Sequence, residues 1–127
     1  MKRMLSVLVL LFSITAFAQG TTYYEHIGES FEQLTYVMGK GDIQKMTDES
    51  FVVFYPQKTH TISFAVKHGV VAAACLSVAF QSEAVANKFV KYAAQSIREG
   101  YVGEIVKVKN TNRYTVHVFV SKEGKST

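Results

Sequence analysis

The chain has 127 residues, of which 48% are hydrophobic and 19% are charged, with one Pro, one Cys and no Trp. This length fits one domain, and the balance of apolar and charged residues is that of a folded chain rather than a disordered one. The single Cys excludes an intramolecular disulfide framework, and the low Pro content excludes collagen-like and linker-like classes.

The N-terminus has the three parts of a secretory leader. Lys2 and Arg3 form a basic start, residues 5–14 are mostly apolar, and Ala16-Phe17-Ala18 is a small-x-small cleavage pattern. A membrane-spanning helix needs about 20 apolar residues, and this run is shorter. We therefore predict a signal peptide over residues 1–18, cleaved after Ala18, and a single domain over residues 19–127. The leader has a bacterial form, so we expect a periplasmic or secreted protein.

Cleavage changes the charge of the working protein. Without Lys2 and Arg3 the 14 basic residues become 12, against 10 acidic ones, and the net charge falls from +4 to +2. So small an excess does not argue for nucleic acid as a partner, and export argues against it. We also expect no membrane span in the mature chain.

The first half of the chain predicts a lead-in, a helix and a strand. Residues 19–24 are predicted to be a loose lead-in. Ser30 and Gln33 have the form of a capping box, and Phe31, Leu34 and Met38 recur at helical spacing. Residues 39–42 end this helix. Residues 42–49 fit either an edge strand or a loop, and residues 51–55 predict a strand that ends at Pro56.

The middle of the chain predicts a tight hairpin. Residues 61–67 alternate, His68-Gly69 is a two-residue turn, and residues 70–80 are an unbroken apolar run. A regular register pairs Lys67 with Val70, Phe64 with Ala73 and Ile62 with Cys75. That register puts Cys75 beneath the helices. It leaves an apolar set on the other face of the sheet, led by Val70, Leu76, Val78 and Phe80.

The second half predicts a longer helix and another hairpin. Ser82 is a good N-cap, residues 85, 89, 93 and 97 form an apolar stripe, and Gly100 suits a left-handed position at the helix end. In the hairpin, a three-residue loop over residues 110–112 pairs Val108 with Tyr114 and Val106 with Val116, so that apolar groups share a face. It places Asn112 in the left-handed region.

The predicted order is helix, three strands, helix, two strands. Hairpins make the sheet antiparallel, so we expect an α+β fold with a mostly antiparallel sheet of about five strands and two helices packed on one face.

Residues 27–42 resemble a segment of small exported bacterial domains. The segments are Ile27-Gly28-Glu29-Ser30-Phe31-Glu32-Gln33-Leu34 and Met38-Gly39-Lys40-Gly41-Asp42. They look like the SmpA/OmlA-like outer-membrane assembly lipoproteins and the β-lactamase-inhibitor-like domains. The resemblance implies a protein-binding role on an α+β scaffold and carries over no catalytic residue. The chain departs from it at Gly41, where proline is usual, and in lacking the lipoprotein Cys.

The sequence contains no recognisable catalytic or metal-binding constellation. The four histidines lack metal-ligand spacing, and no phosphate loop, serine elbow or dinucleotide fingerprint occurs. We expect no enzyme activity, metal or cofactor. Cys75 shares a face with His60 in the predicted register, which suggests a thiol nucleophile, but a buried inert thiol in a core strand is the favoured interpretation.

These observations favour an exported, non-enzymatic binding domain. Its apolar sheet face, led by Val70, Leu76, Val78 and Phe80, is expected to meet a protein partner, a second copy of the chain or an apolar ligand. Lys107, Lys109 and Arg113 are predicted on one face of the last hairpin near His117, where they suit an anionic partner or serve as edge-protecting charges. The alternatives are a small thiol hydrolase using Cys75 with His60, and a purely structural envelope protein.

Overall fold

The computed structural model describes residues 21–123. The predicted signal peptide, residues 1–18, lies outside the described residues. A 3-10 helix spans Thr21–His26, and the α-helices are α1 (Phe31–Met38) and α2 (Glu83–Ser96). The strands are β1 (Asp42–Lys45), β2 (Ser50–Pro56), β3 (His60–Lys67), β4 (Val70–Phe80), β5 (Tyr101–Asn110) and β6 (Arg113–Lys122).

The strands form one antiparallel sheet in the order β1-β2-β3-β4-β6-β5. The predicted α+β class with an antiparallel sheet is therefore confirmed. The sheet has six strands rather than about five. The additional strand is β1, which the ambiguous segment contributes by pairing Ile43 with Val53.

Both helices begin at the predicted caps. The hydroxyl oxygen of Ser30 accepts the N–H of Gln33 at 3.1 Å, and that of Ser82 accepts the N–H of Val85 at 3.4 Å. Each bond satisfies one of the free N–H groups of a first helical turn. Gly100 has the predicted positive φ, 92°, but α2 already ends at Ser96. Gly100 instead belongs to the turn that leads into β5.

The β3–β4 hairpin has the predicted turn but a different register beyond it. His68 and Gly69 have φ values of 54° and 77°, and Lys67 lies opposite Val70. The pairing then shifts between Ala65 and Val66, where β4 holds an extra residue. The predicted partners of Phe64 and Ile62 are wrong, because a β-bulge of one residue moves every later side chain to the other face. Phe64 lies opposite Ala74, and Ile62 opposite Leu76.

The β5–β6 hairpin also differs from the prediction by one residue. Asn110 pairs with Arg113 across a two-residue loop, so the predicted three-residue loop is wrong. Thr111, not Asn112, has the positive φ, 27°. The shift turns Val106 and Val108 away from the helices and turns Lys107 towards them.

One side of the sheet carries the core, and both α-helices and the 3-10 helix pack against it. We call it the helix side. Edge-to-face ring contacts join Phe31 to Phe51, with centres 4.8 Å apart, and Tyr24 to Tyr101, at 4.7 Å. Residues 21–26 are not a loose lead-in, because Tyr23 and Tyr24 are buried in this core. The other core residues include Leu34, Val53, Phe64, Val66, Val71, Leu76, Val78, Phe89, Val116, Val118 and Val120.

Candidate functional site

The second side of the sheet carries no helix among residues 21–123. The ring contacts between helices and sheet lie on the helix side. We call the uncovered side the open face. By the strand register it is formed by Asp42 and Gln44, by Ser50, Val52 and Phe54, by Thr61, Ser63, Ala65 and Lys67, by Val70, Ala73, Cys75, Ser77 and Ala79, by Arg113, Thr115, His117, Phe119 and Ser121, and by Val102, Glu104, Val106, Val108 and Asn110.

Small side chains occupy the middle of the open face. In β3 they are Ser63 and Ala65, and in β4 they are Ala73, Cys75 and Ser77. Neighbouring strands lie about 4.8 Å apart, so these two strands make a shallow trough. The larger Val52 and Phe54 of β2 border it on one side.

An apolar patch borders the trough on its other side. It consists of Val102, Val106 and Val108 of β5 with Phe119 of β6, which are 51%, 36%, 38% and 45% exposed. The register places Val106 opposite His117, and Phe119 opposite both Cys75 and Glu104. Four large apolar side chains thus lie exposed along one edge of the sheet, with Glu104 between Val102 and Val106, and exposed apolar groups of this kind are typical of interaction surfaces.

A chain of polar side chains crosses the trough. Oγ of Ser77 lies 2.7 Å from Nδ1 of His117, and Sγ of Cys75 lies 3.7 Å from Oγ of Ser77. Burial raises the pKa of the Cys75 thiol, although hydrogen bonds with Ser77 and Ser63 act in the opposite direction. The thiol is half-buried rather than in the core, so the predicted burial beneath the helices is wrong.

This polar chain lacks the other parts of a hydrolytic site. No hydrogen bond or ion pair within residues 21–123 links His117 to a carboxylate. β4 and β6 have paired neighbours on both sides, so their backbone N–H groups are used in the sheet and cannot form an oxyanion hole. Within residues 21–123, the arrangement is a hydrogen-bonded chain of three side chains.

The predicted pair of Cys75 and His60 is not brought together. His60 lies opposite Val78 and therefore projects to the helix side, whereas Cys75 projects from the open face. Burial lowers the pKa of His60, and its Nδ1 lies 3.1 Å from the hydroxyl of Thr59. The sheet itself separates the two side chains.

The structure moves most of the predicted apolar contact residues into the core. Leu76 and Val78 are buried, and Phe80 packs against Phe89 of α2 with ring centres 5.3 Å apart. Their predicted place on the uncovered face is wrong because of the bulge in β4. Val70 remains exposed beside the turn of the β3–β4 hairpin.

The three predicted basic residues do not all share a face with His117: by the register Arg113 lies on its side of the sheet, whereas Lys107 and Lys109 lie on the other. Lys107 projects to the helix side, where its amine donates to Oδ1 of Asn87 at 2.8 Å and to Oε2 of Glu83 at 3.2 Å. Lys109 projects the same way, with its amine 6.0 Å from the ring centre of Tyr114. Lys109 and Arg113 help to line an open polar concavity of about 640 Å³ at the hairpin tip. An anionic ligand there stays a prediction.

An apolar crevice lies between the 3-10 helix, α2 and the sheet. Its lining includes Tyr23, Phe89, Ile97 and Val118, and its free volume is about 10 Å³. That is room for about one water, whereas ligand pockets start at about 300 Å³. The crevice is therefore too small for an apolar ligand.

Within residues 21–123, no three His, Cys, Asp or Glu side chains lie close enough together to hold a metal ion. In the same part of the chain, no helix has the length and apolar character needed to cross a bilayer.

No protein-family model, no curated protein and no solved structure matches this chain. The resemblance of residues 27–42 to exported lipoprotein and inhibitor domains therefore stays a prediction.

Proposed function

We propose that this chain is an exported, non-enzymatic binding domain that docks a protein partner on its open face. The observation that carries the proposal is the apolar patch of Val102, Val106, Val108 and Phe119 on a sheet face that no described helix covers. Burying apolar surface is the main favourable term in protein association.

The size of the open face supports a protein as the occupant. Six strands about 4.8 Å apart make the face about 29 Å wide. The six strands hold 50 residues, each about 3.3 Å long, so the projected area is on the order of 800 Å², which is about what each partner buries in a standard interface.

The chemistry of the open face defines the kind of partner. The trough is uncharged. Glu104 lies within the patch, between Val102 and Val106, and the other charged residues of the open face, Asp42, Lys67 and Arg113, lie outside the trough. A partner with apolar side chains fits the trough. A charged partner side chain placed there would lose its hydration without gaining an ion pair. Large side chains of that partner would fill the trough over Ala73 and Cys75, and a flatter part of the partner's surface would cover the patch.

Cys75 is a native reporter for this test, because it is the only thiol in the chain and lies in the trough. The experiment compares the rate of maleimide labelling in dilute isolated protein with the rate in the intact envelope of the producing cell. We expect labelling in the envelope to be about tenfold slower, since a docked surface excludes the reagent. The raised pKa of Cys75 slows both reactions alike and cancels in the ratio.

A matched control separates docking from general crowding. In a Cys75→Ser, Ala94→Cys variant the thiol lies on the exposed surface of α2, away from the open face. It should label at similar rates in both settings. Equal labelling of native Cys75 in both settings would overturn the proposed function.

The export half of the proposal has its own test. Intact-mass measurement of the protein recovered from its bacterial host should give a chain that begins at Gln19. A chain that retains residues 1–18 would contradict export by cleavage.

A further inference from the structure

We propose that β5 pairs antiparallel with β5 of a second copy of this chain, across a two-fold axis that joins the two sheets edge to edge. This goes beyond the proposed function, because it uses the free edge of the sheet rather than its open face. It rests on the length and charge pattern of one strand, and it shares with the proposed function only the exposed valines of β5.

The two edges of the sheet are unequal. β1, at one edge, has four residues, whereas β5, at the other, has ten. An edge strand presents unpaired N–H and C=O groups, and proteins commonly limit that hazard by keeping edge strands short. The chain does so at β1 and leaves β5 at full length.

β5 also lacks two further means of blocking an edge, a proline and a bulge. It contains no proline, and its pairing with β6 runs from Tyr101 to Asn110 without a bulge. Its two lysines project to the helix side, where Lys107 is bonded to α2 and Lys109 lies over Tyr114. The open-face side of β5 carries three exposed valines and one charge, Glu104. This is the profile of an edge that accepts another strand.

A second copy is the occupant that the charge pattern allows. Two-fold pairing of a strand with itself places residues of the same face opposite each other. If the two-fold axis passes through Glu104 or Lys107, that residue lies opposite its own copy, and the two like charges destabilise the pairing. An axis through Ile105 or Val106 avoids this repulsion. With the axis at Val106, Glu104 lies opposite Val108 of the other copy. Both also bring the apolar patches of the two copies side by side, so that pairing buries valine surface.

Thiol cross-linking tests the pairing directly. In a Cys75→Ser, Val106→Cys variant, the two new thiols lie opposite or diagonal to each other, within about 8 Å. A bismaleimide of that reach should convert most of the protein to a covalent dimer. The matched control is Cys75→Ser, Ile43→Cys, which puts an exposed thiol on the β1 edge and should stay monomeric. Equal cross-linking of both variants, or of neither, would overturn the proposal.

Light scattering provides a second readout that does not depend on cross-linking geometry. The wild-type protein should be a dimer that dissociates on dilution. Val106→Glu should raise the dissociation constant about tenfold or more, because the new carboxylate lies opposite its own copy for an axis at Val106 and opposite Glu104 for an axis at Ile105, while Ile43→Glu should not change it. A monomer at all concentrations, or an open series of larger species, would contradict the proposal. Cys75 lies in β4, separated from β5 by β6, so its labelling still tests the proposed function separately.

Discussion

The amine of Lys107 donates a hydrogen bond of 2.8 Å to Oδ1 of Asn87 and so ties β5 to the first half of α2. The same amine reaches Glu83 at 3.2 Å. Both partners are on one helix, so this contact holds the edge strand in the register that turns Val106 and Val108 outward. A single lysine thereby helps to form the apolar patch on the opposite side of the sheet.

Replacing this lysine should cost stability. Lys107→Ala removes the hydrogen bonds and the packed stem, and we expect a loss of about 1 kcal/mol in the free energy of unfolding. Lys109→Ala, two residues along the same strand, should change it by less than about 0.5 kcal/mol. Urea unfolding of the two variants measures the difference. Equal effects would mean that Lys107 does not hold β5 against α2.

The bulge in β4 determines which of its side chains lie in the core. Leu76→Ala should lower the free energy of unfolding by about 2–5 kcal/mol, because it leaves a cavity on the helix side. Phe119→Ala, on the open face, should cost less than about 1 kcal/mol in spite of the larger side chain. Chemical denaturation of both variants tests this. The opposite ranking would favour the regular register, with Leu76 on the uncovered face.

The buried hydroxyl of Tyr23 should make the free energy of unfolding fall at alkaline pH. Burial raises the pKa of Tyr23 well above its ordinary value of 10, and its hydroxyl donates to the carbonyl oxygen of Val118. The unfolded chain releases this proton near pH 10 while the folded chain keeps it, so stability present below pH 10 is lost as the pH rises further. Burial also raises the pKa of Tyr55, which adds to the same slope.

The experiment compares unfolding free energies at pH 8 and above pH 10, values set by the ordinary tyrosine pKa of about 10. Tyr23→Phe should show a smaller loss than the wild type, and the exposed Tyr36→Phe should show the wild-type loss. If Tyr23→Phe keeps the full alkaline slope, Tyr23 ionises as readily in the folded protein as in the unfolded one.

Gly41 should tolerate no side chain. A Cβ added there would lie 2.7 Å from the carbonyl oxygen of Phe54 and 2.7 Å from Cγ2 of Val53. Because a backbone oxygen cannot move aside cheaply, Gly41→Ala should lower the free energy of unfolding by about 1–3 kcal/mol. Thermal unfolding of this variant beside Lys40→Ala, on the neighbouring exposed residue, measures the effect. A Gly41→Ala variant as stable as the control would contradict the close approach.

Local signals in the sequence predicted the parts of the fold that local bonds determine. The caps at Ser30 and Ser82 and the His68-Gly69 turn depend on a few adjacent residues, and all three are confirmed. The burial of Tyr23 and Tyr24 was not predicted, because it depends on distant acceptors at Val118 and Ser96.

The candidate site was harder to predict because it depends on register. Residues 72–74 are all alanine, so a bulge among them changes no side-chain size and leaves no signal in the hydrophobic pattern. In the second hairpin, alternation of Val and Lys favoured burying the valines. The long stem of Lys107 instead lies along the helix side while its amine reaches Asn87. Both shifts moved the apolar surface to a different set of residues.

The most direct measurement of the central claim is the labelling of native Cys75 in the cell envelope for a Phe119→Lys variant. Phe119 lies opposite Cys75 on the open face, so a lysine there should release the docked surface and bring labelling to the rate of the isolated protein. Tyr36→Lys, on the exposed surface of α1, should leave Cys75 protected. If Cys75 stays equally protected in Phe119→Lys, the open face is not where a partner docks.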